Sequence, residues 1–279
     1  MPGAMNHASA KPAAGAQGRV PVVRALAESR VVIAGGTSGI GLAGARAFLS
    51  AGVPGLVIIG RNQERGSAAR DALRAAAPAS LVEFVAGDTT VPTAAVRVCG
   101  QAREALGSID VLVNATAGPY MPELLHDVPV EDVPHVLTQQ ALAPLLMTRI
   151  VLPWMREQGG GCIINIASDA AKVPTPGESL IGAAMGAIVT FSRTVAMEAK
   201  RDGIRVNVLT PSLVEGTATT QRLFEHDFSS RLFGKASKLA SLGVSTPEDQ
   251  AELMVFLASP AACRLTGQAI SLNGGISAA

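Results

Sequence analysis

Short, apolar, β-branched runs recur from Arg30 onward, separated by longer alanine-rich stretches, and this alternation leaves few folds open. The runs are Val31-Val32-Ile33, Leu56-Val57-Ile58-Ile59, Leu81–Val85, Ile109–Val113, Cys162–Ile166, Ile204–Leu209 and Ala269–Leu272. Continuous apolar runs belong to strands covered on both faces, whereas a half-exposed strand alternates polar and apolar residues. Seven such strands and about six intervening helices fill residues 30–279 without a linker. The expectation is one Rossmann-type, doubly wound α/β domain over residues 25–279, a seven-stranded parallel sheet with helices on both faces. Residues 1–24, rich in Ala, Gly and Pro with no apolar period, read as a flexible tail.

Composition agrees and closes other routes. Hydrophobic residues make up 48% of the 279 and charged residues 16%, enough for a large core. Aromatics are only 3%, so that core rests on Ala, Val, Leu and Ile. The formal charge is +1 with no basic stripe, which argues against nucleic acid as a partner. Cys99, Cys162 and Cys263 are far apart and form no metal-type CxxC pair, so they read as reduced thiols and no metal site is expected. No run of roughly 18 apolar residues suggests a membrane span, and no secretory leader is evident. A cytoplasmic location is the expectation.

The first strand runs into Gly35-Gly36-Thr37-Ser38-Gly39-Ile40-Gly41 and then a helix. Glycines there let the backbone turn tightly and approach a pyrophosphate, which the helix N-terminus stabilises. The second strand ends in Gly60-Arg61-Asn62, where an NAD enzyme of this fold would place an acid against the ribose hydroxyls. An arginine can instead pair with a 2′-phosphate, which favours NADP(H) over NAD(H); the other reading of Arg61 is a solvated surface residue. Asp88-Thr89 follows the third strand, within reach of an adenine or as a cap on the next helix.

These segments together resemble the short-chain dehydrogenase/reductase family over nearly the whole chain from about residue 28. The glycine segment is similar to the family's TGxxxGIG, with Ala34 in place of Thr. Asn114-Ala115-Thr116-Ala117-Gly118 resembles its NNAG segment. Asn165-Ile166-Ala167-Ser168 resembles the strand end that carries the catalytic Ser. Arg205–Ser212 resembles RVNxxxPG, and Thr266-Gly267-Gln268 with Asn273-Gly274-Gly275 resembles TGQ…DGG. The resemblance implies a cofactor lined by Gly35, Thr37, Ser38, Gly39, Ile40, Gly41, Arg61, Asn62, Asp88, Thr89, Asn114, Ala115, Pro211, Val214 and Thr217. It also implies a lid over about residues 217–243, and a homodimer or homotetramer assembled through the helices around 132–157 and 177–200.

The same resemblance predicts a Tyr-x-x-x-Lys pair about thirteen residues past the Ser, and counting from Ser168 lands on Ile181 and Met185. Counting back from Leu152-Pro153, the family's catalytic Asn becomes Gln140. Of the usual four, Ser168 alone survives. Family members reduce carbonyls with a proton from a Tyr whose pKa the Lys lowers, and neither Ile181 nor Met185 has a proton to give. Positions i and i+4 share a helix face, so both present an apolar wall.

Three functions stay open on this reading. One is an atypical oxidoreductase reducing an activated C=C or C=N bond, with Ser168 or Gln140 hydrogen-bonding the acceptor. Another is non-redox isomerisation, dehydration or cyclisation in the same pocket, with Ser168, Asp169, Lys172 or Glu178 as candidate groups. The last is an inactive subunit of a mixed oligomer with a competent relative. Glu178 reads either as a replacement acid or as charge stabilisation of a helix N-terminus; Asp169 and Lys172 read as solvated loop residues. Tyr120 and His226 fall where a pocket mouth and a lid are expected. Phe224, Phe228, Leu232 and Phe233 would give that lid an apolar face for a hydrophobic or amphipathic small molecule.

Overall fold

In the computed structural model, which describes residues 22–279, the seven strands form one parallel sheet. They are β1 (Arg30–Ala34), β2 (Gly55–Gly60), β3 (Leu81–Ala86), β4 (Val111–Asn114), β5 (Gly161–Ile166), β6 (Ile204–Leu209) and β7 (Ala269–Ile270). Their order is β3-β2-β1-β4-β5-β6-β7, every pairing parallel. The chain moves outward from β1 to β3, then returns to lay β4 on the other side of β1. Crossovers therefore diverge at the carboxyl ends of β1 and β4, which opens a crevice there.

The continuous apolar runs are explained by what covers them. Along β1, Val31 and Ile33 enter one core while Val32 and Ala34 enter the other, and β2 splits the same way. The first core packs α1 (Gly39–Ser50), α2 (Gln63–Ala76) and α8 (Pro247–Ala258) against the sheet. On the opposite face lie α3 (Pro92–Leu106), α4 (Asp132–Glu157) and α5 (Ser179–Ala199). These six account for the helices expected from the sequence. Two more, α6 (Ala218–Glu225) and α7 (Asp227–Leu239), occupy the 217–243 segment and form a small core of their own around Leu213, Leu223 and Phe233.

Three expectations change at the edges. The segment Ser179–Asp202, α5 with its last turn, is long and apolar enough to cross a membrane by length and composition. Here it lies along the sheet, burying Ile188, Val189, Val195 and Ala196 between α4 and β6, so its apolar content belongs to the core. β7 stops at Ile270, because Ser271 and Asn273 turn their side chains toward Asp169 instead of extending the ladder. Of the tail, residues 1–21 lie outside the described residues. Val22 donates its amide to Gly159 and Arg24 pairs with the buried Asp110 at 3.2 Å, so residues 22–24 are tied to the domain.

Candidate active site

The glycine loop between β1 and α1 is built for close backbone approach. Gly35 has φ +81°, and a Cβ there would lie 2.4 Å from the Ala115 carbonyl oxygen. A Cβ on Gly41 would lie 2.3 Å from the Gly35 carbonyl oxygen, so the loop folds back on the first turn of α1. Ser38 occupies the N-cap of α1, yet its hydroxyl makes no capping bond. The first amides of α1 are thus left for an anion, as a pyrophosphate site requires. Thr217 closes the far side, its methyl 3.7 Å from the position a Gly39 Cβ would take. Beside the loop, Asn114 donates to the Asn165 side chain at 2.7 Å, Asn165 donates to Ser192, and the Asn114 Oδ1 stays buried without a partner. A cradle with an orphaned acceptor and free helix amides fits a dinucleotide.

The ends of β2 and β3 carry the charge expected next to that cradle. Arg61 is exposed and lies 3.9 Å from the Asp88 carboxylate. Asp88 accepts from the Thr90 amide and hydroxyl in a tight turn, while Val91 caps α3. Burial pushes the Asp88 carboxyl up, but the Thr90 hydrogen bonds and Arg61 outweigh it, and the net shift is downward. Asn62 caps α2 by accepting from the Arg65 amide at 2.8 Å. Arg65 escaped the sequence reading. Four residues after Arg61, in the first turn of α2, it reaches back to donate from Nε to the Thr37 hydroxyl at 3.4 Å, a contact 28 residues apart. The spacing Arg61/Arg65 was visible; the fold-back onto Thr37 was not. Thr89, Pro211 and Val214 are buried around the same crevice, and Thr217 caps α6 while donating to the Val214 carbonyl.

Toward the other end of the crevice, Ser168 follows β5 and accepts from the Ala170 amide at 3.2 Å. Gln140, on α4, is buried and its Oε1 lies 3.4 Å from the Gly118 amide. On α5, Met185 is buried and Ile181 is packed beside it, in one apolar cluster with Ala141, Ala167, Ala184 and Leu145. Glu178 sits at the head of α5, one turn before Ile181, and makes no side-chain capping bond. Burial raises its carboxyl to about 7, Asp169 adds repulsion, and a hydrogen bond with Thr175 offsets only part of this.

Asp169 and Lys172 are not the solvated residues expected. Asp169 is 5% exposed and accepts from Ser271, Asn273 and Ser277, side chains that arrive from the end of the chain. Lys172 donates to Ser271 in the same network, and burial lowers its pKa despite the neighbouring Asp169. Their role is to pin the loop that carries Ser168 to the strand-β7 side of the sheet. Partners about a hundred residues away leave no local signature. Tyr120 and His226 come together with Glu123, Asp227 and Phe228 around a cleft of about 690 Å³ between the loop after β4, the start of α4 and the α6–α7 junction. The Phe228 ring packs on Gly177, where a Cβ would be 2.4 Å away, and Glu123 donates its amide to the Gly177 carbonyl. The cleft therefore adjoins the segment that holds Glu178.

Parallel sheet order, glycine cradle and crevice define a dinucleotide-binding oxidoreductase fold, and sequence comparison agrees. Residues 34–277 match the family model described as Enoyl-(Acyl carrier protein) reductase, and the chain belongs to the short-chain dehydrogenase/reductase family. It is 31% identical over 251 residues to 2-(S)-hydroxypropyl-CoM dehydrogenase 3 of Xanthobacter autotrophicus, covering 89% of this chain and 96% of that one. Among solved structures, it resembles an NADPH-bound short-chain oxidoreductase from Pseudomonas aeruginosa PAO1 described as containing an atypical catalytic center. That match has a TM-score of 0.83 and 27% identity, over 91% and 99% of the two chains. It also resembles 3-ketoacyl-(acyl-carrier-protein) reductase from Brucella melitensis complexed with NADH, with a TM-score of 0.79 and 27% identity over 91% and 100%. Solved relatives thus hold either nicotinamide dinucleotide.

Proposed function

We propose that this protein is an NADP(H)-dependent reductase of an activated C=C or C=N bond rather than of a plain carbonyl. The observation that carries the reading is the apolar pair Ile181 and Met185, at the positions where the family resemblance puts Tyr and Lys, packed together in one hydrophobic cluster. A carbonyl accepting hydride becomes an alkoxide and needs a strong local acid, worth roughly 10²–10⁴ in rate. A conjugated alkene spreads that charge to a distant oxygen, and an iminium loses its charge altogether. Both suit a pocket whose wall has no proton to give.

The Gly35–Gly41 loop, Asn114, Ala115 and Thr217 would hold the dinucleotide. Bound and reduced, the nicotinamide supplies a hydride to the acceptor carbon. Ser168 and Gln140 are the hydrogen-bonding groups left to orient the acceptor's heteroatom. Glu178 heads α5 one turn before the vacated Tyr position, and with its carboxyl raised to about 7 it is protonated in about half of the molecules at neutral pH. Arg61, just after β2 where an acid would bind the ribose diol, and Arg65, in the first turn of α2, are the reason for choosing NADP(H): a guanidinium suits a 2′-phosphate better than a bare ribose diol.

NADPH consumption should be measured against matched panels of enones, cyclic imines, ketones and secondary alcohols. Turnover with an enone or imine and none with ketones supports the reading; brisk wild-type oxidation of simple alcohols, or silence on every acceptor with NADPH bound, overturns it. A second reading, non-redox isomerisation or dehydration, is favoured by the same Glu178 carboxyl, which could act as base and acid in turn. Product formed with no change in NADPH absorbance would select it.

A further inference from the structure

The cleft of about 690 Å³ beside Gly177 has a one-sided charge lining that the reaction class alone does not require. Glu123, Asp127 and Asp227 line it together with the imidazoles of His135 and His226, and no Lys or Arg does. The chain carries 23 basic and 22 acidic side chains, so this is a sorting of charge and not a shortage of cations. At the opposite end of the sheet a smaller pocket is lined by Arg24, Lys200, Arg205 and Arg264, with Asp110 paired to Arg24. Local partners leave the acids largely uncompensated. Asp127 has only the exposed His126 at 3.6 Å. Arg231 beside Asp227 spends its Nε on the Asp227 backbone carbonyl. Asp227 also sits in the first turn of α7, where the helix terminus absorbs part of its charge.

Two further observations point to a ligand in the same place. Ser229 is fully buried with no partner for its hydroxyl, and the Tyr120 hydroxyl is buried and equally unpartnered. Both residues line the cleft. Buried hydroxyls without partners are rare in a finished core, and each calls for a partner such as a bound ligand or ion. The rings of Tyr120 and Phe228 add π faces beside the carboxylates. The Tyr120 hydroxyl titrates above its ordinary range through burial and then the nearby Glu123 and Asp132 carboxylates, an independent sign of negative potential.

We propose that this cleft selects an organic cation, so that the acceptor reduced at the adjoining site is an amphipath carrying an ammonium nitrogen apart from its reducible bond. This rests on the reductase reading above and narrows it. The carboxylates and ring faces would hold the positive nitrogen, and the unpartnered hydroxyl oxygens would accept from its N–H groups where it has them. The reducible carbon, at the adjoining site, takes a hydride from the reduced nicotinamide dinucleotide, the π pair of that bond moves to its other end, and a proton from solvent completes the reduction while the charged nitrogen stays in the cleft.

The test is calorimetric binding to the cofactor-free protein at low ionic strength, using benzyltrimethylammonium, benzyl alcohol and benzoate as cationic, neutral and anionic probes of one ring. The cation should bind at least tenfold more tightly than the alcohol, benzoate should not bind, and raised salt should weaken the cation selectively. Glu123→Gln with Asp227→Asn should remove that preference; both sites are exposed, and a matching far-UV spectrum establishes folding. Equal binding of the three probes, no cation binding, or a preference unchanged in the double variant overturns the proposal. A protein that reduces neutral enones yet ignores the ammonium probe fails here and keeps the reductase reading. One that binds the probe but turns over no acceptor keeps the cation site and loses that reading.

Discussion

Glu178 is the carboxyl of the proposed site whose proton its surroundings hold most tightly. It heads α5 one turn before Ile181, and burial holds its proton to about pH 7 against an ordinary value of 4.5. A carboxyl that binds its proton more tightly in the folded chain stabilises the fold fully below about 4.5. That contribution is lost as pH rises through about 7. Glu178→Gln keeps the shape and removes the titration. The variant should therefore melt with wild type at pH 4.5 and above it at pH 8, by on the order of 2 kcal/mol after allowance for solvent screening. Thermal melts at the two pH values measure this. If Glu178 is also the proton donor, wild-type turnover falls above pH 7, while Glu178→Gln loses roughly 10²-fold or more at pH 6 and has no such limb. A kcat profile that is unchanged in the variant removes Glu178 from the chemistry and leaves its stability effect intact.

At the scale of elements, the turn from β1 into α1 depends on close backbone contact. Gly41→Ala would set a methyl 2.3 Å from the Gly35 carbonyl and force the loop away from the helix terminus. NADPH affinity should fall at least tenfold, read by titration of cofactor fluorescence. Gly100→Ala, in an exposed turn of α3 with open space around it, should instead stabilise the protein by about 0.5–1 kcal/mol with affinity unchanged. Strands and this loop were legible in the sequence, because two-sided burial demands Val, Ile and Leu in unbroken runs and close approach demands Gly. The apolar face of Ile181 and Met185 was legible because i and i+4 on a helix cannot avoid each other. Asp169 was not, since its partners Ser271, Asn273 and Ser277 come from the far end of the chain. Nor was Arg65, whose partner Thr37 sits in another crossover. Contacts local in sequence can be read from it; polar contacts made by topology cannot.

For the whole molecule, the outer face of the α4–α5 layer keeps several apolar side chains only partly covered. Leu146 and Ile150 on α4 and Phe191 on α5 are only half covered, and Met197 is 60% exposed. Their neighbours on the inner side, Met147, Val151, Val195 and Ala196, are fully committed to the core. A second copy laid antiparallel on α4 and α5 would cover the outer residues symmetrically, since a two-fold interface presents the same patch to itself. The family resemblance implies the same helices as oligomer contacts. Light scattering should then give two or four times the 28.4 kDa of the chain. Ile150→Arg places a charge where the copies would meet and should shift the mass to one chain, with an unchanged far-UV spectrum showing that the half-buried site tolerates it. A wild-type mass of 28.4 kDa, or an assembly indifferent to Ile150→Arg, would mean that these helices face solvent. The apolar stripe on α4 and α5 would then need another partner.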